Sequence, residues 1–428
     1  MNLRQMRIIN STDTKAVAAL LDRRPGSNPS LDRAVARIVT RVRERGDEAL
    51  GVFARRFDRL EGAIEVSRRE IAASASEVRP EVRKAIATAA RHVAAVARKQ
   101  VPREWSVSPV AGVTIRQRVL PLDRVGCYVP GGRYPLPSSL LMTAIPARVA
   151  GVPEIVAVCP RPDATVLYAA LEAGVTRFFR VGGAHAVAAL AYGTASVPRV
   201  DKIVGPGNAW VAAAKARVSA ACAIDFFAGP SEIAVVSSAG RPAWIAADLI
   251  AQAEHDPEAR AILITPSKRL ARRVGEEIRR QMPRAGPARV ALARNGGIVL
   301  TRTLDEAVAL SQRLAPEHLV CDTRALAARL TRAGTVFVGQ YSAQASGDYV
   351  TGSNHVLPTS GAAAARGGLS AADFVRTATL QEITAAGLRR IGPAGITLAL
   401  AEGLQAHAAS MAMRLDTRRG RRERGAVR

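Results

Sequence analysis

Residues 154–181 read E-I-V-A-V-C-P-R-P-D-A-T-V-L-Y-A-A-L-E-A-G-V-T-R-F-F-R-V, and this stretch indicates the fold class. Its apolar runs predict strands at Glu154–Val158 and Thr176–Val181, and the segment between them predicts a helix at Ala164–Ala173. The same alternation of short strands and helices continues through residues 185–218. Strands that alternate with helices in this way are typical of a parallel, doubly wound sheet.

Two glycine-containing turns connect predicted strands to predicted helices in this part of the chain. They are G-G-A-H at Gly182–His185 and G-P-G-N at Gly205–Asn208. Ligands of doubly wound sheets bind beyond the carboxyl ends of the strands, which is where both turns lie. Neither turn has the G-x-G-x-x-G spacing of a dinucleotide fingerprint. The turns therefore predict either a ligand site or simple tight connections.

A polar cluster at Ala251–Pro257, A-Q-A-E-H-D-P, ends a predicted helix and indicates a metal site. Gln252 and His255 are three residues apart, so on a helix they would share one face. They lie at its C-terminus, where the backbone carbonyls favour a cation. The helix is expected to stop at Asp256, because a residue before proline avoids the α region. Two solvated polar side chains are the alternative interpretation.

Histidine is rare in this chain, and its placement also indicates a site. Three of the 6 His lie beside Gly, Pro or acidic residues in short irregular segments, namely E-H-D-P, P-E-H-L and S-N-H-V-L-P. Imidazole is a common metal ligand and the usual general base near neutral pH. The pair Glu317-His318 places a carboxylate beside an imidazole, and both groups can accept protons. A helix-capping Glu next to a structural His is the alternative.

Two further pairs of polar residues extend this set. Asp348 and His355 lie in a predicted irregular loop at Ser346–Pro358. Glu402 and His407 lie in a segment predicted to be one helix, on which they would be about 140° apart around the axis. Side chains in that relation would line a site from adjacent sides.

Composition limits the class of protein. The chain has 428 residues and is 48% hydrophobic but only 4% aromatic, which predicts large aliphatic cores in two to four domains. Its apolar runs are shorter than the roughly 18 residues of a membrane span, and its N-terminus does not resemble a signal peptide. The four cysteines form no C-x-x-C pair, and Cys321 is predicted to be structural rather than a nucleophile. A cytoplasmic protein is expected.

The formal net charge of +25 raises the question of nucleic acid. The excess is mostly Arg spread through amphipathic helices such as Ala271–Arg280, without the interleaved aromatic residues of a stacking platform. We therefore expect no specific nucleic-acid partner, although non-specific binding at low salt is expected. The C-terminal R-R-G-R-R-E-R-G-A-V-R predicts a disordered basic tail.

Eight segments, in order along the chain, resemble the histidinol dehydrogenase family. They are V-G-C-Y-V-P-G-G, R-V-G-G-A-H-A, V-G-P-G-N-A-W-V, A-G-P-S-E, A-Q-A-E-H-D-P, A-P-E-H-L, G-D-Y-V-T-G-S-N-H-V-L-P-T and A-E-G-L-Q-A-H. The resemblance implies zinc-dependent oxidation of L-histidinol to L-histidine through histidinal, with two NAD, in the last steps of histidine biosynthesis. It also implies a homodimer with shared active sites.

The resemblance further implies roles for individual residues. The ligands of one zinc ion per subunit are implied to be Gln252, His255, Asp348 and His407. The implied catalytic acid–base pair is Glu317 and His318. The implied substrate contacts are Ser231, Glu402 and His318, together with the zinc ligands. The implied NAD contacts are Tyr128, His185 and Asn208.

The family fold has two doubly wound, Rossmann-like α/β domains, one inserted in the other, plus small terminal helical segments. The corresponding boundaries are an N-terminal arm at 1–20, a first domain at 21–125 and 231–368, an inserted domain at 126–230, and a C-terminal helical segment at 369–428 that carries the basic tail.

The sequence departs from the family at positions that leave the substrate and the nucleotide contact open. His185 lies where the family usually has Gln, and Thr351 and Ser353 lie where Ala and Pro are frequent. We expect His185 to contact NAD in place of Gln, with simple capping of the turn as the alternative.

A related zinc- and NAD-dependent enzyme that oxidises another small polar alcohol, such as a sulfonated diol, is one alternative function. Glu402 argues against it, because a carboxylate would repel a sulfonate. A metal hydrolase that uses Glu317 to activate water without NAD is the second alternative.

Overall fold

The structure is a computed structural model that describes residues 6–21, 28–131, 135–226 and 229–416. The chain divides into two compact units. The first unit comprises Met1–Val101 and Leu122–Phe374, and the second comprises Pro102–Pro121 and Val375–Arg428. The basic tail and two motif residues, Gly132 and Ala228, lie outside the described residues.

The strands of the described residues are short, with bounds as follows. They are β1 (Ile8–Asn10), β2 (Glu65–Val66), β3 (Trp105–Val110), β4 (Val113–Pro121), β5 (Arg124–Tyr128), β6 (Glu154–Val158), β7 (Arg177–Phe179), β8 (Lys202–Val204), β9 (Ala223–Ile224), β10 (Glu232–Val236), β11 (Arg260–Thr265), β12 (Gly297–Leu300), β13 (His318–Cys321), β14 (Thr335–Val338) and β15 (Val375–Ile383).

The helices of the same residues have the following bounds. They are α1 (Thr14–Leu21), α2 (Pro29–Phe53), α3 (Arg68–Glu77), α4 (Pro80–Gln100), α5 (Pro137–Val149), α6 (Ala164–Ala173), α7 (Gly183–Tyr192), α8 (Ala209–Val218), α9 (Pro242–Ala253), α10 (Lys268–Gln281), α11 (Pro287–Asn295), α12 (Leu304–Leu314), α13 (Arg324–Ala327), α14 (Gln344–Tyr349), α15 (Ala385–Ala401) and α16 (Gln405–Leu415). A π-helical turn follows α2 at Ala54–Asp58. Among the described helices, we find none with the length and apolar character needed to cross a membrane.

Sheet A of the first unit has the strand order β1-β12-β11-β10-β13-β14, and all its strands are parallel. Every residue of β10 and β11 is buried, because helices cover both faces of a parallel sheet. The register pairs Glu232 with Arg260, and Ile233 with His318. The first residues of these three strands therefore lie together at the amino-terminal edge of sheet A.

Sheet B of the first unit has the strand order β2-β7-β6-β5-β8-β9 and is parallel except for β2. The chain progresses outward from β5 through β6 to β7 on one side, and through β8 to β9 on the other. The order therefore reverses between β5 and β8. Such a reversal opens a crevice at the carboxyl ends of the two strands, where doubly wound sheets bind ligands.

Helix α2 packs on α7 and α8 of sheet B, and Val42 and Leu50 lie in one core with Leu190. Helix α2 belongs to residues 21–125, which the predicted boundaries group with residues 231–368. The apolar stripe of an amphipathic helix shows that the helix needs a partner, but it does not identify the partner. The predicted domain boundaries as a whole stay a prediction.

Two predicted elements are confirmed. The strand Glu154–Val158 and the helix Ala164–Ala173 have the expected bounds. Helix α2 is interrupted at Gly46, which has φ 53°. The mixed α/β class follows from these elements and from the two parallel sheets.

The C-terminal region was predicted to be helical from Ser370, and this prediction is wrong in part. Residues 375–383 form β15, which pairs antiparallel with β4 in a three-stranded sheet of the second unit. The expected single helix at Leu398–Leu415 is also wrong, because Gly403, with φ 78°, separates α15 from α16. The 140° relation between Glu402 and His407 on one helix therefore does not apply.

A buried ion pair positions the G-P-G-N turn at the end of β8. Lys215 Nζ is bonded to Asp225 Oδ1, and these side chains are 3% and 1% exposed. Lys215 also donates to Gly205 O at 2.9 Å, and Gly205 N donates to Asp225 Oδ2 at 2.8 Å. A Cβ at Gly205 would lie 2.2 Å from Tyr128 O. The turn is therefore held against the end of β5.

We expect Asp225→Asn to lower the free energy of unfolding by about 3 to 5 kcal/mol, because it leaves the Lys215 ammonium buried without its counter-charge. The measurement is urea denaturation near neutral pH. Glu48→Gln is the control, since Glu48 pairs with Arg45 on the surface and such pairs contribute about 0 to 1 kcal/mol. Equal denaturation midpoints for Asp225→Asn and Glu48→Gln would contradict a structural role for the buried pair.

Candidate active site

Glu317 and His318 lie at the start of β13 and are 6% and 4% exposed. The main chain of Glu232, at the start of β10, contacts both side chains. Its N–H donates to Glu317 Oε2 at 2.7 Å, and its carbonyl oxygen lies 3.3 Å from His318 Nδ1. A carbonyl only accepts, so Nδ1 carries the proton in the neutral ring. His318 Nε2 is then the basic nitrogen.

The Asp348 carboxylate on α14 joins two parts of the predicted site. Its Oδ1 lies 3.6 Å from His318 Nε2, and its Oδ2 lies 3.9 Å from His255 Nε2. Gln344 Nε2 donates to Oδ2 at 2.8 Å. His355 Nδ1 lies 2.9 Å from the Asp348 carbonyl oxygen. Asp348 thus lies between the predicted acid–base pair and a predicted metal ligand.

Gln252 lies in the last turn of α9 and is 1% exposed, yet its Oε1 has no hydrogen-bond partner within the part of the chain that the structure describes. A buried acceptor without a donor costs about 1 to 3 kcal/mol, so its presence calls for a function. The prediction that Gln252 and His255 share one face of a helix is wrong, because α9 ends at Ala253. His255 follows in an irregular turn, and its N–H lies 3.4 Å from Gln252 O.

The donors of the first unit suit a cation but do not complete its coordination. Within residues 6–21, 28–131, 135–226 and 229–416 there is no group of three His, Cys, Asp or Glu placed to hold a metal. Gln252, His255 and Asp348 offer one amide oxygen, one imidazole and one carboxylate, which are N and O donors that zinc accepts. The Gln252 oxygen, which lacks a partner among the described residues, supports this assignment, and a four-coordinate zinc site needs one further ligand from protein, water or substrate.

Burial and neighbouring charges shift the pKa values of this cluster. Burial raises the pKa of Glu317 to about 7, although the nearby imidazole of His318 opposes the shift. Burial alone would lower the pKa of His318, but the carboxylates of Glu317 and Asp348 outweigh it and raise that pKa. Burial alone would raise the pKa of Asp348, but the surrounding histidines outweigh it and lower that pKa. Glu317 is therefore able to exchange a proton near neutral pH.

The raised pKa of Glu317 predicts a stability effect with a defined sign. Below pH 4.5 the carboxyl is protonated in both the folded and the unfolded states, so it has no effect. Between pH 4.5 and about 7 only the unfolded state ionises, so stability is lost as the pH rises. Above pH 7 the loss of stability is complete, and it amounts to roughly 3 kcal/mol for this shift in the pKa of Glu317.

Glu317→Gln should therefore increase the free energy of unfolding, and the gain should grow between pH 5 and pH 7 and then level off. Urea denaturation at intervals from pH 5 to pH 8.5 measures this gain. Glu48→Gln, at an exposed position, is the control and should show no comparable rise. A gain in Glu317→Gln that does not change with pH would contradict the raised pKa.

The remaining predicted substrate and metal residues lie in separate elements. Ser231 immediately precedes β10, and its carbonyl accepts from Arg260 N at 2.9 Å. Glu402 caps the C-terminus of α15, and His407 lies in the first turn of α16. Both of these side chains are exposed on the second unit.

The predicted nucleotide contacts lie at the carboxyl-terminal edge of sheet B. Tyr128 ends β5, and its hydroxyl accepts from Gly183 N at 2.9 Å. Asn208 is exposed and caps α8, with Oδ1 accepting from Trp210 N and Val211 N at 3.1 and 3.2 Å. Tyr128 therefore lies at the end of β5 with 3% of its side chain exposed, and Asn208 follows β8 with its side chain exposed.

His185 is buried in the first turn of α7. Its ring is 2% exposed, and Nε2 lies 2.7 Å from Asp58 Oδ2. The same carboxylate oxygen accepts from Gly182 N at 2.9 Å. Asp58 thus binds both the imidazole and the N-terminus of α7, so His185 is linked to the turn through Asp58. Contact between His185 and NAD stays a prediction.

Three residues with a place in this geometry were not identified from the sequence, namely Asp58, Glu232 and Gln344. Asp58 lies at the end of a helical segment, far in sequence from the turn that it binds. Glu232 belongs to the quoted motif A-G-P-S-E, but its role depends on its main chain, which any residue type could supply. Gln344 precedes the quoted loop motif by three residues, and no pattern in the neighbouring sequence indicated a role for it.

Comparisons with known proteins place this geometry in a family. The model of the family described as histidinol dehydrogenase matches residues 21–415. The chain is 45% identical to "Histidinol dehydrogenase" of Bordetella parapertussis over 96% of this chain and 98% of that protein. The chain belongs to the histidinol dehydrogenase family. It is also 47% identical to "Histidinol dehydrogenase" of Cereibacter sphaeroides, over 93% of this chain and 95% of that one.

A solved structure supports the histidinol dehydrogenase fold. The crystal structure of histidinol dehydrogenase from Elizabethkingia anophelis superposes with a TM-score of 0.91 at 30% identity, covering 96% of this chain and 98% of that chain. The resemblance in sequence motifs and the predicted α/β class are thereby confirmed. The chain is an oxidoreductase of the histidinol dehydrogenase type.

Proposed function

We propose that this protein oxidises L-histidinol to L-histidine through histidinal, with two NAD and one zinc ion per subunit, in the last steps of histidine biosynthesis. The observation that carries this proposal is the position of Asp348. Its two carboxylate oxygens lie 3.6 Å from His318 and 3.9 Å from His255, so one side chain connects the acid–base pair to the metal ligands.

The zinc ligands in this proposal are Gln252, His255 and Asp348 of one subunit and the partner's His407. The unpartnered oxygen of Gln252 supports its assignment as a ligand. Zinc has no redox chemistry, so when bound it supplies a fixed positive charge that holds the polar groups of the substrate. The further substrate contacts are Ser231, from the same subunit as Gln252, and the partner's Glu402. The Glu402 carboxylate suits a cationic imidazole or amine.

His318 removes the hydroxyl proton of the alcohol in the first oxidation. Its Nδ1–H is directed at the carbonyl oxygen of Glu232, so Nε2 accepts the proton, and Asp348 Oδ1, which lies 3.6 Å from Nε2, stabilises the imidazolium that forms. NAD, when bound, supplies the hydride acceptor. The main chain of Glu232 thus selects the tautomer that His318 needs as a general base.

Glu317 activates water in the second oxidation. Its carboxylate receives the Glu232 N–H at 2.7 Å, and its pKa of about 7 suits proton transfer at neutral pH. The proton goes from water to Glu317, and the hydroxide adds to the aldehyde to give its hydrate. A second NAD, when bound, would supply the acceptor for the hydride that the hydrate loses as it becomes the acid. This sequence needs no thiol nucleophile, and Cys321 is buried in β13.

The NAD site in this proposal is the crevice at the carboxyl ends of β5 and β8. Tyr128 and Asn208 supply contacts there, and Asn208 keeps its amide exposed. Asp58 already accepts from Gly182 N at the start of α7, so this carboxylate opposes a phosphate at the same helix end. In this proposal His185 contacts Asp58, and Asp58 in turn fixes the conformation of the turn before α7.

The test is the yield of NADH when limiting L-histidinol is added to the full-length protein with excess NAD and zinc. The proposal predicts two NADH and one L-histidine for each L-histidinol. NADH from a sulfonated diol, with none from L-histidinol, would support the related alcohol dehydrogenase instead. No NADH from either alcohol would contradict a dehydrogenase of this class and leave the hydrolase alternative.

A further inference from the structure

The orientation of the Asp348 carboxylate depends on a neighbouring amide. Gln344 is fully buried, and its Nε2 donates a 2.8 Å hydrogen bond to Asp348 Oδ2. That oxygen also lies nearest His255, whereas Oδ1 lies nearest His318. We propose that Gln344 is a positioning residue, which fixes the carboxylate so that one oxygen serves the metal and the other serves the catalytic histidine. This inference rests on the proposed function.

Packing alone does not account for an amide at this position. Gln344 Oε1 is buried and has no hydrogen-bond partner among the described residues, which destabilises the folded state. A methionine of similar length would fill the same space without that cost. Turning the amide over would not help, because its oxygen would then face the carboxylate oxygen of Asp348. The donor group of Gln344 is therefore what the site uses.

The backbone from which Gln344 reaches Asp348 is also held. Helix α14 packs against α9, and Asp248 on α9 faces the main-chain N–H of Gln344, which is the first N–H of α14. Asp248 lies one turn before Gln252 on the same helix. Helices α9 and α14 are therefore joined close to the two points at which they carry Gln252 and Asp348. Hydrogen bonds of this kind to metal ligands are worth about 10- to 100-fold in metal affinity.

The test compares the zinc affinity of full-length Gln344→Met with that of the wild type, by competition with a chelator. We expect the Kd for zinc to rise about 10- to 100-fold. The Tm of the metal-free variant should not fall below that of the wild type, because the variant removes an unpaired buried oxygen. An unchanged Kd for zinc would overturn the inference.

Gln281→Met is the matched control. Gln281 Nε2 donates to Glu277 Oε2 at 2.9 Å, which is also an amide–carboxylate contact across four residues, on a helix without a proposed ligand. Its zinc affinity should equal that of the wild type. Co²⁺ bound in place of zinc adds a second readout, since its absorption reports ligand geometry. A band altered in Gln344→Met but not in Gln281→Met supports positioning, and identical bands contradict it.

Two further outcomes separate the inference from the proposed function. If Gln344→Met does not fold, Gln344→Leu, which also lacks the donor, replaces it in the same measurement, and an unchanged Kd again overturns the inference. If the wild type itself binds no zinc, the proposed function fails and the inference fails with it. If the wild type binds zinc and the variants bind it equally well, only the inference fails.

Discussion

His318→Asn is expected to slow the oxidation of L-histidinol by about 100- to 10,000-fold, the usual effect of losing a general base. The structure directs Nδ1 of His318 to the carbonyl oxygen of Glu232, so the ring presents Nε2 as its base. Asparagine keeps an N–H donor for that carbonyl but has no basic nitrogen. The measurement is the rate of NADH formation from L-histidinol in a single turnover at pH 8.

Glu317→Gln is the informative comparison in the same experiment. Only the second oxidation needs activated water, so this variant should oxidise histidinal much more slowly while it loses less in the alcohol step. Each rate is measured separately, by starting from L-histidinol or from histidinal. Oxidation of histidinal at the wild-type rate by Glu317→Gln would contradict the role in water activation. Glu48→Gln should leave both rates unchanged.

Mixing two inactive variants is expected to restore activity. His255→Asn and His407→Asn should each lose zinc and turnover, because each removes one proposed ligand of the same ion. If His407 comes from the partner subunit, a heterodimer of the two variants has one site with both histidines intact. Random exchange of subunits gives heterodimers as about half of all dimers, so activity should recover to roughly a quarter of the wild-type value per site.

The control for this experiment is the mixture of His255→Asn with Gln252→Ala. Gln252 and His255 lie on consecutive turns of one chain, so no heterodimer of these variants contains an intact site. Subunit exchange is verified with differently tagged chains. No recovery in the His255→Asn and His407→Asn mixture after verified exchange would show that each site is built within one chain. Full zinc content in either single variant would remove that histidine from the ligand set.

The sequence predicted the local elements of sheet B well because their signals are local. The strand Glu154–Val158 and the helix Ala164–Ala173 have the predicted bounds, since continuous apolar runs and a helix-capping Asp163 lie within a few residues of each other. The strand Val375–Ile383 was predicted to be helical. Its pairing with β4 joins residues more than 250 positions apart along the chain, and no local pattern contains that information.

In the candidate site, too, the sequence showed the local features and did not show the long-range arrangement. The residue types in E-H-D-P, P-E-H-L and the loop at Ser346–Pro358 identified histidines and carboxylates suited to metal binding and proton transfer. Their arrangement was not evident, because Ser231, Glu317 and His255 precede strands of sheet A and so lie toward its amino-terminal edge. The general expectation for doubly wound sheets is the opposite edge, which in sheet B holds Tyr128 and Asn208.

The sequence by itself determined the α/β class, the histidinol dehydrogenase family and the chemical types of the candidate site residues, because periodicity and residue type are properties of short segments. Only the tertiary structure decided which groups meet. It placed Asp348 between His318 and His255, and it directed His185 to Asp58 instead of to an open crevice. The physical reason is that a hydrogen bond or an ion pair requires atoms within about 3 to 4 Å. Packing brings those atoms together from distant parts of the chain, and sequence spacing does not record the result.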